Sequence, residues 1–467
     1  MPTSDCELPP AQILLSNTSD PKVLIVCHRA FNDKGGTGNT LASYFKQWNP
    51  DSLAEIFFHA ELPCGPMIRK CSRYYRVTDF DALRSVLGRQ SCGHPVTSTD
   101  IAGATGKGDT SPSRLQQRVY EFGRKRYGSV MLLRDMMWRA ARWRTDELNA
   151  WVDDFAPQVV FLNGGEYSFA YGIANYVATR CSAPLVVYLG DDWYNVTSFS
   201  HSPFYWLQNA LLRRAMRRVV GSAAQIFPIC DLMGEEYKRI FGVACTTLST
   251  ACGRIESTPA SGDRSPVEIS YLGKVSLGRW TTLRRIGEAL RAINAHQQQA
   301  ILRIYSTERL DASMVKSLSI PGALEFMGGL NAAGVSQVIA NSDILVHVES
   351  MDKMNRKLTR LSVSTKIPEY LASGRCILAA GPAEVASIRY IQEHDAGMVV
   401  TDMEALRGCL EVLVSNPELR RRYALNALRL ARQRHDPEIV TKLLKNTLRS
   451  VLGSKTNAST VLATRER

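Results

Sequence analysis

The chain has 467 residues, 45% hydrophobic and 22% charged, a globular composition too long for one hydrophobic core, so two domains are expected. A formal net charge of +13 calls for an anionic partner. No apolar run approaches the ~18 residues that span a bilayer, which argues against an integral membrane protein. The 11 cysteines form no CxxC pair and read as reduced, mostly buried thiols of a cytoplasmic protein. The first cation is Lys22, preceded by Asp5 and Glu7, so a signal peptide's basic n-region is not expected.

Short apolar runs alternate with longer amphipathic stretches, the pattern of βα units and parallel sheets. In the first half, residues 22–28, 54–60, 157–163, 183–190 and 223–229 read as strands. "KVLIVCHRAFNDKGGTGNT" (22–40) is a strand, a loop and a glycine-rich turn opening a helix. Gly35 and Gly36 there allow backbone N–H groups to approach a phosphate or sugar. The string also approaches the deviant phosphate loop of ParA-like ATPases, but Asn39 stands where the phosphate-binding lysine is needed. "DFD" (79–81) reads as a helix cap rather than a metal pair, and the polar stretch 91–113 as a disordered loop.

Arg114 to Arg144 interleaves basic residues with Met131, Leu132, Leu133, Met136, Met137, Trp138 and Trp143. Between Asp192 and Asp231 there is no acid, while Arg213, Arg214, Arg217 and Arg218 share one helical face. Such segments suit an anionic membrane surface, and no nucleic-acid motif accompanies them. "DDW" (191–193) ends an apolar strand; Asp192 is placed to orient or deprotonate an acceptor hydroxyl, and equally to cap a helix. The segment 257–266 has the composition of an interdomain linker.

The second half repeats the pattern, with strands expected at 267–273, 300–306, 323–329, 343–349, 375–381 and 396–402. "YLGKVSLGRW" (271–280) ends its first strand at Gly273 and places Lys274 and Arg279 before a helix, well sited for a diphosphate. In "STKIPEYLASGRCILAAGP" (364–382), Ser364, Thr365, Lys366 and Glu369 open a two-turn helix that returns through Gly374 into a buried strand. Two hydroxyls and a lysine at a helix N-terminus form an anion site. "MDKMNRKLTRLS" (351–362) sets Lys353, Arg356, Lys357 and Arg360 on one face, a cationic wall for the cleft.

These motifs, with "LEFMGGL" (324–330), "DILVHVES" (343–350), "YLGDDWY" (188–194) and "ICDLMGEEY" (229–237), resemble GT-B glycosyltransferases, and glycosyltransferase family 4 in particular, over residues 22–450. The resemblance implies an α/β fold of two Rossmann-like domains facing across a cleft. Its domains would be 1–256 on the acceptor side, a linker at 257–266, and a nucleotide-sugar-binding domain at 267–435. A crossover helix at 436–453 and a disordered tail at 454–467 would follow.

By the same resemblance, Glu369 would hydrogen-bond the donor ribose, Ser364, Thr365 and Lys366 would reach its phosphates, and Lys274 and Arg279 would neutralise the leaving diphosphate. The family's two glutamates have seven residues between them, the first near the donor sugar; counting back from Glu369 gives Leu361 here, and Glu349 is assigned the sugar-side role. The implied activity is metal-independent, cofactor-free transfer from a UDP- or GDP-type nucleotide sugar, retaining its configuration. The acceptor would be a glycan or lipid-linked intermediate at the inner membrane face. A nucleotide-sugar epimerase or hydrolase of the same fold, and a ParA-like ATPase, are the alternatives.

Overall fold

Runs of β-branched and aromatic residues, buried on both faces, become the central strands. The computed structural model describes residues 19–32, 36–63, 69–88, 91–97, 100, 127–195, 200–260 and 264–465, with 455–465 by their backbone alone. The first sheet comprises β1 (Val23–Cys27), β2 (Leu53–Phe57), β3 (Arg73–Arg76), β4 (His94–Pro95), β5 (Val159–Gly164), β6 (Leu185–Leu189) and β7 (Gln225–Pro228). Its order is β4-β3-β2-β1-β5-β6-β7, parallel except where β4 runs antiparallel to β3. The second sheet comprises β8 (Val267–Leu272), β9 (Ala300–Tyr305), β10 (Leu324–Gly328), β11 (Ile344–Val348), β12 (Cys376–Ala380) and β13 (Met398–Val400). It is parallel throughout, in the order β10-β9-β8-β11-β12-β13.

Two strands escaped the sequence reading. β3 is only "RYYR", with charges at both ends and no apolar run, yet Tyr74 and Tyr75 are buried. β4 falls inside 91–113, where disorder was expected. Cys92 is fully buried there, and a Cβ at Gly93 (φ 92°) would meet Arg76 O at 2.9 Å, so only glycine allows this close approach. Beyond Thr97 only Asp100 of that stretch is among the described residues.

Helices cover both faces of each sheet. One face of the first carries Gly128–Ala140, Asp146–Phe155, Ser168–Arg180 and Pro203–Val220, whose Trp138, Val152, Ile173 and Met216 share a core with Leu24 and Ile56. The opposite face carries Thr37–Tyr44 and the last helix, Pro437–Arg465. That helix leaves the second domain and buries Val440, Leu444 and Leu448 beside Phe45 and Trp48, while Lys445 pairs with Asp20 at 2.7 Å. It runs past the expected end at 453 to Arg465, within the stretch expected to be a disordered tail. No proline interrupts it, and Gly453 alone costs a helix only about 1 kcal/mol.

The segment after β11 joins the domains. Leu361 and Ala386 lie in the first domain's core cluster, and Cys230 Sγ donates to Leu361 O at 3.4 Å. Arg360 pairs with Glu236 at 2.6 Å, and Ser362 Oγ donates to Asp191 Oδ1 at 3.1 Å. Since Asp191 follows β6, Cys230 follows β7 and Leu361 follows β11, the two sheets meet through their C-terminal ends.

Candidate functional site

At the end of β8, Tyr271 donates its hydroxyl to Lys274 O at 2.5 Å, turning the chain sharply. Glu308, just beyond β9, accepts from Val275 N at 2.7 Å and Ser276 N at 3.0 Å, which draws its carboxyl below the usual range despite an opposing effect of burial. Leu277 and Gly278 are both left-handed, and a Cβ at Gly278 would meet Ser350 Oγ at 2.5 Å. Lys274 is thereby left exposed, with no ion pair among the described residues.

Arg279 starts the helix Arg279–Ile293, an unfavourable place for a cation beside the positive helix end. Glu349 compensates: its oxygens take Arg279 Nη2 at 3.0 and 3.1 Å and Nε at 3.2 Å, a bidentate pair. Burial pushes the Glu349 carboxyl up, while Arg279 and Thr359 pull it down; we take it as ionised, because a bidentate guanidinium requires the anion. His347 lies 3.6 Å from Glu349 and bonds Ser387 Oγ at 2.9 Å; burial holds it neutral, down to about 3. Glu349 is 2% exposed and faces Arg279, so the structure unites two residues that the sequence assigned to separate tasks.

Ser364, Thr365, Lys366 and Glu369 stand at the opening of the helix Lys366–Ala372. Lys366 Nζ lies 3.3 Å from Glu369 Oε2, and both side chains reach solvent. The helix is pinned to β8 by Tyr370, whose hydroxyl accepts from Leu272 N at 3.1 Å and donates to Leu272 O at 3.3 Å. Gly374 (φ 67°) then ends it where a Cβ would meet Thr258 O at 2.8 Å. One tyrosine therefore draws the segments of Lys274 and Glu369, about a hundred residues apart in sequence, to the C-terminal end of β8.

On the first domain, Asp192 is 5% exposed and accepts from Tyr237 Oη at 2.7 Å and Asn195 N at 3.0 Å. The expected acceptor-activating role does not suit so occupied a carboxylate; it braces the loop. Its neighbour Asp191 has an exposed side chain at the domain junction, its carboxyl pushed up by the surrounding walls and by Asp192 while Ser362 pulls it down. Gly35 lies outside the described residues, and Gly36 (φ 71°) precedes the helix Thr37–Tyr44.

Sequence reasoning missed Gly38, where a side chain would collide with Ala30 O and Asn32. It also missed a cluster where the first sheet's strand order reverses, at the ends of β1, β2 and β5. His28 meets Tyr167 at 4.4 Å and His59 at 5.4 Å between ring centres, and Arg134 lies 4.3 Å above Tyr167. Strand ends at such a reversal are the usual ligand crevice of open α/β sheets, the one signal that was available. A separate narrow cleft, open to solvent, lies between the domains, lined by Asp231, Thr250, Pro368, Tyr390, Arg434 and His435. None of the expected site residues lines it. His435, buried and held neutral, bridges Thr250 O and Tyr390 Oη, each at 2.8 Å, and so ties the two sides of this seam together. Among the described residues no cluster of histidines, cysteines or carboxylates could hold a metal ion.

Residues 284–445 match a family model described as glycosyl transferase-like. No curated protein sequence matches the chain. The chain is similar to HepE of Anabaena, solved in complex with UDP and glucose (TM-score 0.55, 14% identity, 92% of this chain and 100% of that one). It is also similar to sucrose-phosphate synthase from Thermosynechococcus elongatus (0.58, 11%, 93% and 100%). A third likeness is to WaaG, described as a glycosyltransferase of lipopolysaccharide biosynthesis (0.52, 13%, 91% and 99%). Two parallel-sheet domains whose strand ends meet are the GT-B fold, and most of the second carries the glycosyl transferase-like match. That architecture displaces the ParA-like reading, and Asn39 is an exposed position within the helix Thr37–Tyr44.

Proposed function

We propose that the protein transfers a sugar from a UDP- or GDP-type nucleotide sugar to a lipid-linked or polysaccharide acceptor at the cytoplasmic membrane face, with retention of configuration and without a divalent ion. The observation that carries this is the Tyr370 bridge, which sets the exposed Lys274 and the helix opening at Ser364–Glu369 on one edge of the second sheet. The likeness to HepE, solved with UDP and glucose, supports a donor of this class.

Lys274 and Arg279 neutralise charge growing on the departing diphosphate, the interaction that should contribute most to rate. Glu349 holds Arg279 at the helix start and leaves part of its guanidinium edge for the donor; this positioning replaces direct contact between Glu349 and the sugar. Ser364, Thr365 and Lys366 meet the phosphates, and Glu369 the ribose. Asp191 faces the acceptor, steadied by Asp192 behind it, and Gly35 and Gly36 let the first domain's backbone close on the donor.

A thermal-shift panel of UDP-, GDP-, ADP- and CMP-sugars tests the donor class, with release of free nucleotide then followed in excess EDTA. Stabilisation by one nucleotide class and turnover that survives the chelator are expected. No stabilisation by any of them would overturn the reading, and activity lost to EDTA and restored by Mg²⁺ would overturn its metal-free part. Release of free sugar or an epimer without any acceptor would instead favour a hydrolase or epimerase.

A further inference from the structure

Three helices of the first domain lie side by side. Arg134 Nε on Gly128–Ala140 donates to Asp79 Oδ1 on Asp79–Val86 at 2.8 Å, and a Cβ at Gly128 would approach Tyr205 N of Pro203–Val220 to 2.6 Å. Each turns large apolar side chains outward: Leu83, Val86 and the adjoining Leu87 from the first; Leu133, Met136 and the adjoining Tyr127 from the second; Phe204, Trp206 and Leu207 from the third. Their exposure runs from 41% at Val86 to 68% at Leu133. Nine of the 16 large apolar side chains exposed among the described residues thus fall on these three neighbouring helices. Soluble monomers seldom expose apolar side chains so concentrated in one place unless something binds there.

The charge around this face selects the partner. Arg139, Arg142, Arg214 and Arg218 are exposed and have no carboxylate at salt-bridge distance among the described residues. The acids on these helices are turned to internal work: Asp135 is buried, Asp79 holds Arg134 and Trp138, and Asp81 closes the cap with Thr78. Two of the arginines grouped by sequence point elsewhere, since Arg213 Nε donates to Tyr194 O at 2.9 Å and Arg217 to the Tyr194 hydroxyl. The surface is therefore less cationic and more apolar than the sequence suggests. Large apolar side chains beside unpaired arginines match the boundary between acyl chains and anionic head groups.

The middle helix also touches the crevice. One side of Gly128–Ala140 presents Leu133 and Met136 to solvent, while Arg134 lies over the ring of Tyr167, which also meets His28 at the strand ends. We propose that the three-helix face inserts into the head-group layer of an anionic phospholipid bilayer and so holds the His28–His59–Tyr167 crevice at the lipid surface. This refines the membrane-face reading above, but lipid binding requires no sugar transfer, so either can fail without the other.

Co-sedimentation with vesicles of phosphatidylcholine, with and without phosphatidylglycerol, tests it. The wild type is compared with Phe204→Ser/Trp206→Ser/Leu207→Ser, with Leu133→Ser/Met136→Ser, and with Arg214→Gln/Arg218→Gln. All these positions are exposed, so melting temperatures should stay near wild type, and the thermal shift with UDP should be unchanged in each variant. Wild type should bind the anionic vesicles, each apolar variant at least about tenfold more weakly, and the arginine variant should lose the preference for phosphatidylglycerol. Failure of the wild type to bind anionic vesicles, or binding by the apolar variants at wild-type strength, would overturn the proposal. A wild-type dimer that becomes monomeric in the apolar variants, with no vesicle binding, would assign the face to a second copy and also overturn it.

Discussion

Charged side chains at the second domain's edge divide into held and free. Arg279 is held by a buried carboxylate, whereas Lys274 has no such partner among the described residues and Glu369 is paired only at the surface. Replacing Glu369 with alanine should leave the fold intact and weaken donor binding by about 1.5–3 kcal/mol, as read by calorimetry with the cognate nucleotide sugar. Lys274→Ala should lower kcat more than donor affinity, because leaving-group charge develops only in the transition state; the reverse split would make it a simple anchor.

A second buried acid acts on stability. Glu55 on β2 accepts from Cys27 Sγ at 3.0 Å and Phe31 N at 3.2 Å, and burial lifts its carboxyl from 4.5 to about 8. The folded state then keeps a proton that the unfolded chain releases. Its contribution is complete below about 4.5 and is lost as pH rises toward about 8. The slope is at most about 1.4 kcal/mol per pH unit, and urea unfolding of Glu55→Gln across that interval should show it flattened.

At the scale of elements, the helix Lys366–Ala372 shows how a short segment becomes rigid. Seven residues are too few for an independent helix, so its order comes from Ile367, Tyr370 and Leu371 buried beneath it and from the Tyr370 hydroxyl on Leu272. Tyr370→Phe strands the buried Leu272 N–H at a cost of about 1–3 kcal/mol. It should also loosen the β8 edge, so chemical denaturation and donor titration should both weaken, although residue 370 itself lies beneath the site. The sequence pattern revealed this helix because its charges, its glycine stop and its apolar return are all local. β3 and β4 were not legible for the opposite reason: two buried tyrosines and a short antiparallel bridge gain their order only from neighbours distant in sequence.

Across the whole molecule, the last helix ties the chain's end to its first domain. Leu444 is fully buried against residues some four hundred positions earlier, among them Tyr44 and Phe45. Leu444→Ala should therefore cost about 2–5 kcal/mol, with the loss appearing as earlier unfolding of the first domain in limited proteolysis. Digestion that instead began in the second domain would show that the crossing contributes little.

The sequence by itself determined the alternation of strands and helices, the expectation of a GT-B fold, and the short motifs around Lys274 and Ser364–Glu369. Each is written in local periodicity, turn residues or short spacings that survive in one dimension. Only tertiary structure decided that Arg279 and Glu349 face each other, that Asp191 rather than Asp192 reaches the surface, that Arg213 and Arg217 turn to Tyr194, and that three neighbouring helices each expose large apolar side chains. Those outcomes depend on which side chains meet across long sequence separations. Periodicity tells which face of an element is apolar, but only the assembled layers determine what that face meets.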